Sequence, residues 1–240
     1  MPTGKSHLKY SLTNESVLYK GAKLYRVRAA CDIGSNFDEP IPAGTLGGWI
    51  ESEKNLSQEG FCWVHLDAKV FGEAHVCGDA RVTDEAVVRG NAIVSGEALV
   101  AGAALVSGHA HVTDLAKVDG KQVSVGGHAR VGGYCQIRGS ACVIGEALVG
   151  GCASVSQMAV VAGRTHIKDN AQVSGASRIQ NKATVSDQAE VRGHAVVRGR
   201  AVVCQAAVVE GEVVVAGSVV VAGNTVLNGS ERFFGTARIG

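Results

Sequence analysis

Apolar residues recur every six positions through most of this chain. The series runs from Val64 to Val118 and, after one extra residue, from Val125 to Ile239. All 30 positions of the series are apolar, and the residue two positions before each one is usually Ala. Because alternate residues of a strand face the same side, each A-x-V triplet predicts a short strand with Ala and Val on one face.

Residues that tolerate positive φ follow each predicted strand. The position two residues after each apolar residue occurs 28 times between residues 72 and 235. It holds Gly, Asp or Asn at 26 of these sites, and Gln157 and Gln205 are the two exceptions. Sharp corners need such residues. Six residues therefore predict one strand and one corner. Since this unit cannot bury its inner face alone, successive units must stack.

Read as V-x-G-x-A-x, the unit closely resembles the hexapeptide repeat of left-handed parallel β-helices. The resemblance covers roughly residues 62–240. It implies an all-β, left-handed parallel β-helix of about ten triangular coils, each built from three hexapeptides. At ~4.8 Å per coil, such a prism would be roughly 48 Å tall.

The N-terminal region follows a different pattern. Residues 17–27 (VLYKGAKLYRV) predict a hairpin around Gly21. Residues 36–48, with two prolines and three glycines, predict a loop. We therefore divide the chain into an N-terminal β cap, residues 1–60, and a hexapeptide-repeat β-helix, residues 61–240. The cap is expected to cover the open edge of the first coil.

A second resemblance concerns the junction of these parts. The segment 47–64 (GGWIESEKNLSQEGFCWV), followed by the repeats, resembles YdcK-type proteins of bacteria and prophages, which are labelled acyltransferases because of their fold. Acyltransferases of this fold use one histidine as a base, hold acyl-CoA between two prisms and are typically homotrimers. They usually carry a long loop ejected from a coil and a C-terminal helix. Here the repeats show a one-residue insertion and neither of those features.

Composition narrows the class of partner. Lys and Arg (23) nearly balance Asp and Glu (22), so a formal net charge of +1 gives no general attraction to nucleic acid or to an acidic membrane. The sequence contains no apolar run of membrane-spanning length and no visible secretory signal. Its seven cysteines lack a CxxC motif. We therefore expect reduced thiols in a cytoplasmic protein, with no membrane or nucleic-acid partner.

Residues 18 apart, or 19 across the insertion, should stack on neighbouring coils. One corner column then holds candidate functional residues: His109, His128, Arg164, Lys182 and Arg200. His111 and Arg130 flank its histidines. In an acyltransferase, His109 or His128 would be the catalytic base. Arg130, Arg164, Lys182 and Arg200 would bind the ligand, such as the phosphates of acetyl-CoA or another anion. A metal site is a weaker alternative. Ordinary solvent-facing repeat residues explain the same pattern.

Outward valines near the end of the chain predict an oligomer interface. They are Val196, Val202, Val208, Val214, Val220 and Val226. Contiguous exposed apolar surface usually marks an interface, although β-branched residues also suit exposed strands. The family norm makes a homotrimer the expected assembly. No capping helix follows the repeats, so the last coil would also expose an edge.

Three functions remain open from the sequence. The favoured one is a non-catalytic, oligomeric binding or assembly protein, in keeping with a prophage origin and with a protein partner. The second is a CoA-dependent acyltransferase with its active site between prisms. The third is a phage-encoded inhibitor that sequesters a host protein or a small ligand.

Overall fold

A short strand and a corner alternate every six residues, and the strands of successive coils pair in parallel. The structure, a computed structural model, describes residues 8–34 and 40–240. Within these residues the strands form three sheets, which we name faces 1, 2 and 3 in the order in which the chain visits them. The predicted all-β parallel β-helix with a small N-terminal hairpin is therefore confirmed.

The hairpin extends the sheet of face 1. Its strands are β1, Tyr10–Tyr19, and β2, Ala22–Ala29, joined by a tight turn at positive φ. The third strand, β3, spans Leu46–Ile50. It pairs antiparallel with β2 on one side and parallel with Lys69–Val70 on the other. The hairpin is thus part of the same sheet as the coils.

The bounds of the remaining elements follow the hexads. Face 1 continues beyond β3 with the strands Lys69–Val70, Val87–Val88, Leu105–Val106, Ser124–Val125, Cys142–Gly145, Val160–Gly163, Arg178–Ile179, Val196–Val197, Val214–Val215 and Arg232–Phe233. Face 2 consists of the strands His75–Val76, Ile93–Val94, His111–Val112, Arg130–Val131, Leu148–Val149, His166–Ile167, Thr184–Val185, Val202–Val203, Val220–Val221 and Arg238–Ile239. Face 3 consists of the strands Trp63–Val64, Arg81–Val82, Leu99–Gly102, Lys117–Gly120, Gln136–Arg138, Ser154–Val155, Gln172–Val173, Glu190–Val191, Val208–Val209 and Val226–Leu227. A 3-10 turn, Glu53–Asn55, lies between β3 and the first strand of face 3.

The loop predicted over residues 36–48 is wrong at its end. Residues 36–39 lie outside the described residues, but β3 already begins at Leu46, so Gly47 and Gly48 belong to a strand. A Cβ atom on Gly48 would lie 2.6 Å from the carbonyl oxygen of Ala68. These glycines therefore permit a close approach of backbones rather than a turn.

The core has the composition that the repeat predicts. The inward apolar residue of each hexad and the small residue before it are almost fully buried along most of the helix, as at Ala171 and Val173. Small and β-branched side chains alternate and fill the narrow interior of most coils. Toward the end of the chain the inward side chains become more exposed, and Phe233 and Ile239 are only half-buried.

Every predicted corner site turns through a residue at positive φ, including the two glutamines. Gln157 and Gln205 have φ values of 60° and 62°. Their side-chain oxygens accept hydrogen bonds from the backbone N–H of Gly175 and Gly223, at 2.8 and 2.6 Å, on the coil above. The exceptions in the sequence thus keep the corner geometry and satisfy the amide of the next corner.

The one-residue insertion is absorbed at a corner. Residues of strand Lys117–Gly120 pair with residues 19 positions later, whereas those of strand Ser124–Val125 pair with residues 18 positions later. The extra residue therefore lies between these strands, where Lys121 and Gln122 are exposed. The sheets continue in register on both sides of it.

The helix has about 11 coils, one more than expected. The extra coil arises because β3 already pairs in parallel with the coil above and Leu56 forms a parallel bridge with Val76. Two additional residues before Val64 hide this register in the sequence. The division into domains at residue 60 stays a prediction, and the sheet of face 1 crosses it.

A buried amide fixes the beginning of the first coil. The Asn55 side-chain oxygen accepts hydrogen bonds from the backbone N–H groups of Glu51 and Ser52, at 3.1 and 2.9 Å. Its nitrogen donates to the carbonyl oxygens of Gly72 and Ala74, at 2.9 and 2.8 Å. The hydrogen-bonding capacity of this fully buried amide is therefore satisfied.

The corners give a direct test of the fold. Gly175 has a φ of +71°, and a Cβ there would lie 2.6 Å from the backbone nitrogen of Gly193. We expect Gly175→Ala to lower the free energy of unfolding by about 2–3 kcal/mol, because a Cβ atom is strained at positive φ and collides with the next coil. The matched control is Gly150→Ala, whose Cβ would meet no atom within 4 Å. Urea unfolding should show about 0.5 kcal/mol or less for the control. Equal losses would contradict the corner geometry.

Candidate functional site

Two histidines stack at the corner between faces 1 and 2. The backbone N–H of His109 donates to the carbonyl of Gly127 at 2.6 Å, which sets His109 and His128 on adjacent coils. Their ring centroids are 4.7 Å apart and the ring planes differ by 2°. The structure therefore brings together the two predicted catalytic residues, both of them exposed.

The residues that flank this pair also meet. His111 and Arg130 are direct partners on adjacent strands of face 2. His111 is half-buried and Arg130 is exposed. The predicted cluster of three histidines and one arginine is thus present on two consecutive coils. Its flanking members lie on the sheet and its stacked pair lies at the corner.

An ion pair continues the corner column above the histidines. Arg164 Nε lies 3.2 Å from Glu146 Oε2, and both side chains are more than 60% exposed. At such exposure the pair contributes little to stability, since water screens it. The pair occupies a guanidinium that an incoming anion would otherwise find unpaired.

A surface pocket of about 430 Å³ opens beside this column on face 2. Its lining is His128, Arg130, Glu146, Leu148, Arg164 and His166. Two arginines and one glutamate give the lining a formal charge of +1 with neutral histidines. The chemistry of this pocket fits a small anion with a short apolar part, which Leu148 would contact.

Sequence reasoning missed two residues of this pocket, Leu148 and His166. They follow Arg130 at steps of 18 residues on face 2, and the structure pairs them as neighbours. The signal was therefore present in the sequence. It required reading the outward sheet column together with the corner column.

The remaining predicted ligand-binding residues lie above the pocket. The N–H groups of Lys182 and Arg200 donate to the carbonyl oxygens of Gly199 and Gly217, at 2.8 and 2.6 Å, so each begins the corner of a successive coil. Both side chains are exposed. They extend the basic column beyond the pocket without lining it.

The corner lacks two features that histidine catalysis or metal binding would use. Among the described residues, no carboxylate or carbonyl hydrogen-bonds the imidazole of His109 or His128, so nothing fixes their tautomers. Within the same residues, no group of three or more His, Cys, Asp and Glu side chains has the arrangement of a metal site. The exposed imidazole and guanidinium groups of this corner can donate hydrogen bonds to an anion.

Burial disfavours the reactive form of several cysteines. Burial raises the pKa of the Cys77, Cys142 and Cys204 thiols, and it raises the pKa of Cys135 to about 12. A raised pKa disfavours the thiolate, which is the reactive form. All seven cysteines are free thiols in the structure.

The six predicted interface valines are shared among the faces. Val196 and Val214 pair on face 1, Val202 and Val220 on face 2, and Val208 and Val226 on face 3. Five are half-buried and Val226 is 61% exposed. Each face thus presents two of them side by side, and their role in an interface stays a prediction.

Face 1 carries a larger uncharged surface that sequence reasoning missed. Over four consecutive coils its outward positions are Leu105, Ser107, Ser124, Gly126, Cys142, Ile144, Val160 and Ala162. On face 3 the outward positions of two neighbouring coils include Lys117, Asp119 and Arg138. The contrast becomes visible when both outward columns of one face are read together. This uncharged region of face 1 lies next to the histidine corner.

Comparisons with known proteins add no assignment. No family model matches this chain, and no curated protein matches it. Within residues 8–34 and 40–240, no helix has the length and apolar character to cross a membrane. The function therefore has to be inferred from the residues of the corner and of face 1.

Removal of the Glu146 carboxylate should strengthen anion binding at the pocket. Glu146→Gln releases Arg164 and raises the charge of the lining by one. We expect binding of inorganic phosphate to tighten about two- to five-fold, which corresponds to about 0.4–1 kcal/mol. Calorimetric or NMR titration with phosphate measures this change.

The matched control is Glu190→Gln. Glu190 lies on face 3, away from the pocket, and its Oε2 is 3.2 Å from Arg192 Nη1. Its substitution should therefore leave phosphate binding unchanged. Equal effects of the two substitutions would show that phosphate responds to net charge and not to this site.

Proposed function

We propose that the protein is a non-catalytic binding and assembly protein built on a hexapeptide-repeat, left-handed β-helix. The observation that carries this proposal is the unbroken ladder of coils. Within the described residues from Leu46 onward, strands pair with the next coil throughout, and the one insertion is absorbed at an exposed corner. Acyltransferases of the resembling family usually shape their site with a long ejected loop. The ladder here supports a surface that binds rather than a pocket that catalyses.

The assembly is a homo-oligomer that associates through face 1. The uncharged region of that face spans four coils, and Ile144 on it is 38% exposed. Val196 and Val214 continue the apolar character of the face higher up. Association would remove this surface from water without burying a charge, which favours binding. The family norm makes a trimer the expected stoichiometry.

The ligand at the corner is a small anion. Arg130 and Arg164 supply the fixed positive charge of the pocket, and His128 and His166 supply nitrogen atoms that donate hydrogen bonds when protonated. Lys182 and Arg200 extend the same electrostatic field along the column. Because faces 1 and 2 meet at this corner, a neighbouring copy seated on face 1 would lie beside the ligand.

The second candidate function is a CoA-dependent acyltransferase. One observation favours it, the stacked pair of His109 and His128 beside a basic column that could contact the phosphates of acetyl-CoA. The lack of a partner that orients either imidazole among the described residues weighs against it.

The assembly proposal predicts which lysine substitutions dissociate the oligomer. We expect the native protein to have the mass of an oligomer in light scattering, and Val160→Lys on face 1 to dissociate it, because a buried ammonium without a partner is strongly unfavourable. Ser154→Lys is the matched control, on the adjoining strand of face 3 and similarly half-buried.

The predicted valine belt is tested in the same way. Val214→Lys lies on face 1 and should dissociate the oligomer, whereas Val208→Lys lies on face 3 and should leave it intact. A monomeric native protein, or an oligomer that survives both face 1 substitutions, would contradict assembly through this face.

Calorimetry with acetyl-CoA separates the two candidate functions. For a non-catalytic protein we expect acetyl-CoA to bind no more tightly than the nucleotide portion of CoA alone, because the pocket recognises only the anion. Saturable micromolar binding of acetyl-CoA, well above that of the nucleotide portion, would favour the acyltransferase. In that event, replacing both His109 and His128 with Ala should abolish acyl transfer without unfolding the helix. His194→Ala, at an exposed corner elsewhere, is the control.

A further inference from the structure

A lysine and a cysteine meet in the interior where the N-terminal strand joins the first coil. Lys9 is 6% exposed and Cys62 is fully buried. Lys9 Nζ lies 3.1 Å from Cys62 Sγ. A buried lysine is uncommon unless its nitrogen is well paired, so this contact requires a physical explanation.

Three carbonyl groups hold the lysine nitrogen against the sulfur. Nζ donates to the carbonyl oxygens of Glu59, Gly60 and Cys62, at 3.1, 3.2 and 3.1 Å. An ammonium group has three protons, and these carbonyls can accept all three. The sulfur is then a fourth neighbour of a nitrogen whose position is already fixed.

The backbone of Lys9 is anchored to the same segment. Its N–H donates to Gln58 Oε1 at 2.9 Å, so both ends of the residue are attached to the chain that precedes Cys62. The two residues are 53 positions apart in the sequence. Their contact therefore connects the first residues of the hairpin to the first strand of face 3.

Burial protects this thiol from ordinary exchange. It raises the pKa of Cys62, and the nearby Lys9 ammonium opposes that rise. Attack by external thiols needs both the thiolate and access to the sulfur, and this site offers little of either. The partner that is always within reach of an oxidised Cys62 sulfur is the Lys9 nitrogen.

We propose that Lys9 and Cys62 form a modification site, where dioxygen converts the pair into a covalent N–O–S bridge. The Lys9 ammonium first releases one proton to solvent, and then one N–H bond of the resulting amine, the S–H bond and the O–O bond break. One N–O bond and one O–S bond form, and the second oxygen atom leaves as water with the two released hydrogens. Nitrogen and sulfur are each oxidised by two electrons, and dioxygen accepts all four. A bridge of this kind would be a redox-sensitive connection between the hairpin and the β-helix.

Mass spectrometry of the full chain tests the bridge. After incubation in air-saturated buffer we expect the intact mass to rise by one oxygen atom less two hydrogen atoms. Proteolytic digestion should then yield one crosslinked peptide pair that contains Lys9 and Cys62. In denaturant, where the sulfur becomes accessible, a thiol reductant should restore both the original mass and the separate peptides.

Three variants show which atoms are needed. Lys9→Arg keeps the positive charge and Cys62→Ala keeps a small apolar residue, and neither should gain the mass. Cys77→Ser removes a neighbouring thiol that acts electrostatically on Cys62, and it should still form the bridge. Circular dichroism establishes that each variant is folded.

Other outcomes overturn the proposal. One is an unchanged wild-type mass after prolonged oxidation. Another is a mass lower by two hydrogen atoms, which indicates a disulfide or a direct S–N bond. The third is a crosslink that persists in Lys9→Arg. The wild-type measurement alone decides the question should a variant fail to fold. The result is independent of the oligomer and of phosphate binding, so it leaves the proposed function untouched.

Discussion

Each coil depends on residues that turn the chain at positive φ at regular intervals of six. A strand of two to four residues cannot close a coil by bending, so the whole change of direction falls on the corner. Glycine adopts this conformation without strain, and the Asp and Gln corner residues adopt it with a side chain that accepts a hydrogen bond from the amide of the next corner, as Gln157 does from Gly175. The constraint leaves no room for a Cβ facing the next coil at positions such as Gly175.

Stacked corners turn a one-dimensional repeat into columns of side chains. Because each corner sits above the one 18 residues earlier, an outward residue always has the same neighbours, whatever its identity. The inner positions are held by packing, while the outer positions are free to vary. Function on such a helix therefore arises where several outward columns carry complementary chemistry. The corner of His109 and His128, the pocket around Arg130 and the uncharged region of face 1 are three such places, and they adjoin one another.

The sequence predicts the core almost completely, because period and residue size determine which side chains point inward. It also predicts that His109 meets His128 and that His111 meets Arg130, since stacking follows from counting residues. It predicts less where the period changes. The irregular spacing before Val64 conceals β3 and the extra coil, and the loop predicted over residues 36–48 includes Gly47 and Gly48, which belong to β3. The contact of Lys9 with Cys62 joins two segments that lack a common repeat, and counting could not find it.

Exposure is the physical reason why we propose binding rather than catalysis for this surface. A general base works when its tautomer and position are fixed before the substrate arrives, which normally takes a buried hydrogen-bond partner. The His109 and His128 rings contact one another at an open corner, where water competes for their nitrogen atoms. Anion binding needs less preorganisation of the site than general-base catalysis. The net positive charge of a lining with two arginines attracts an anion over a distance, and the anion can accept hydrogen bonds in several geometries. A regular β-helix supplies columns of charge readily, whereas a deep and dry site would require an interruption of its coils.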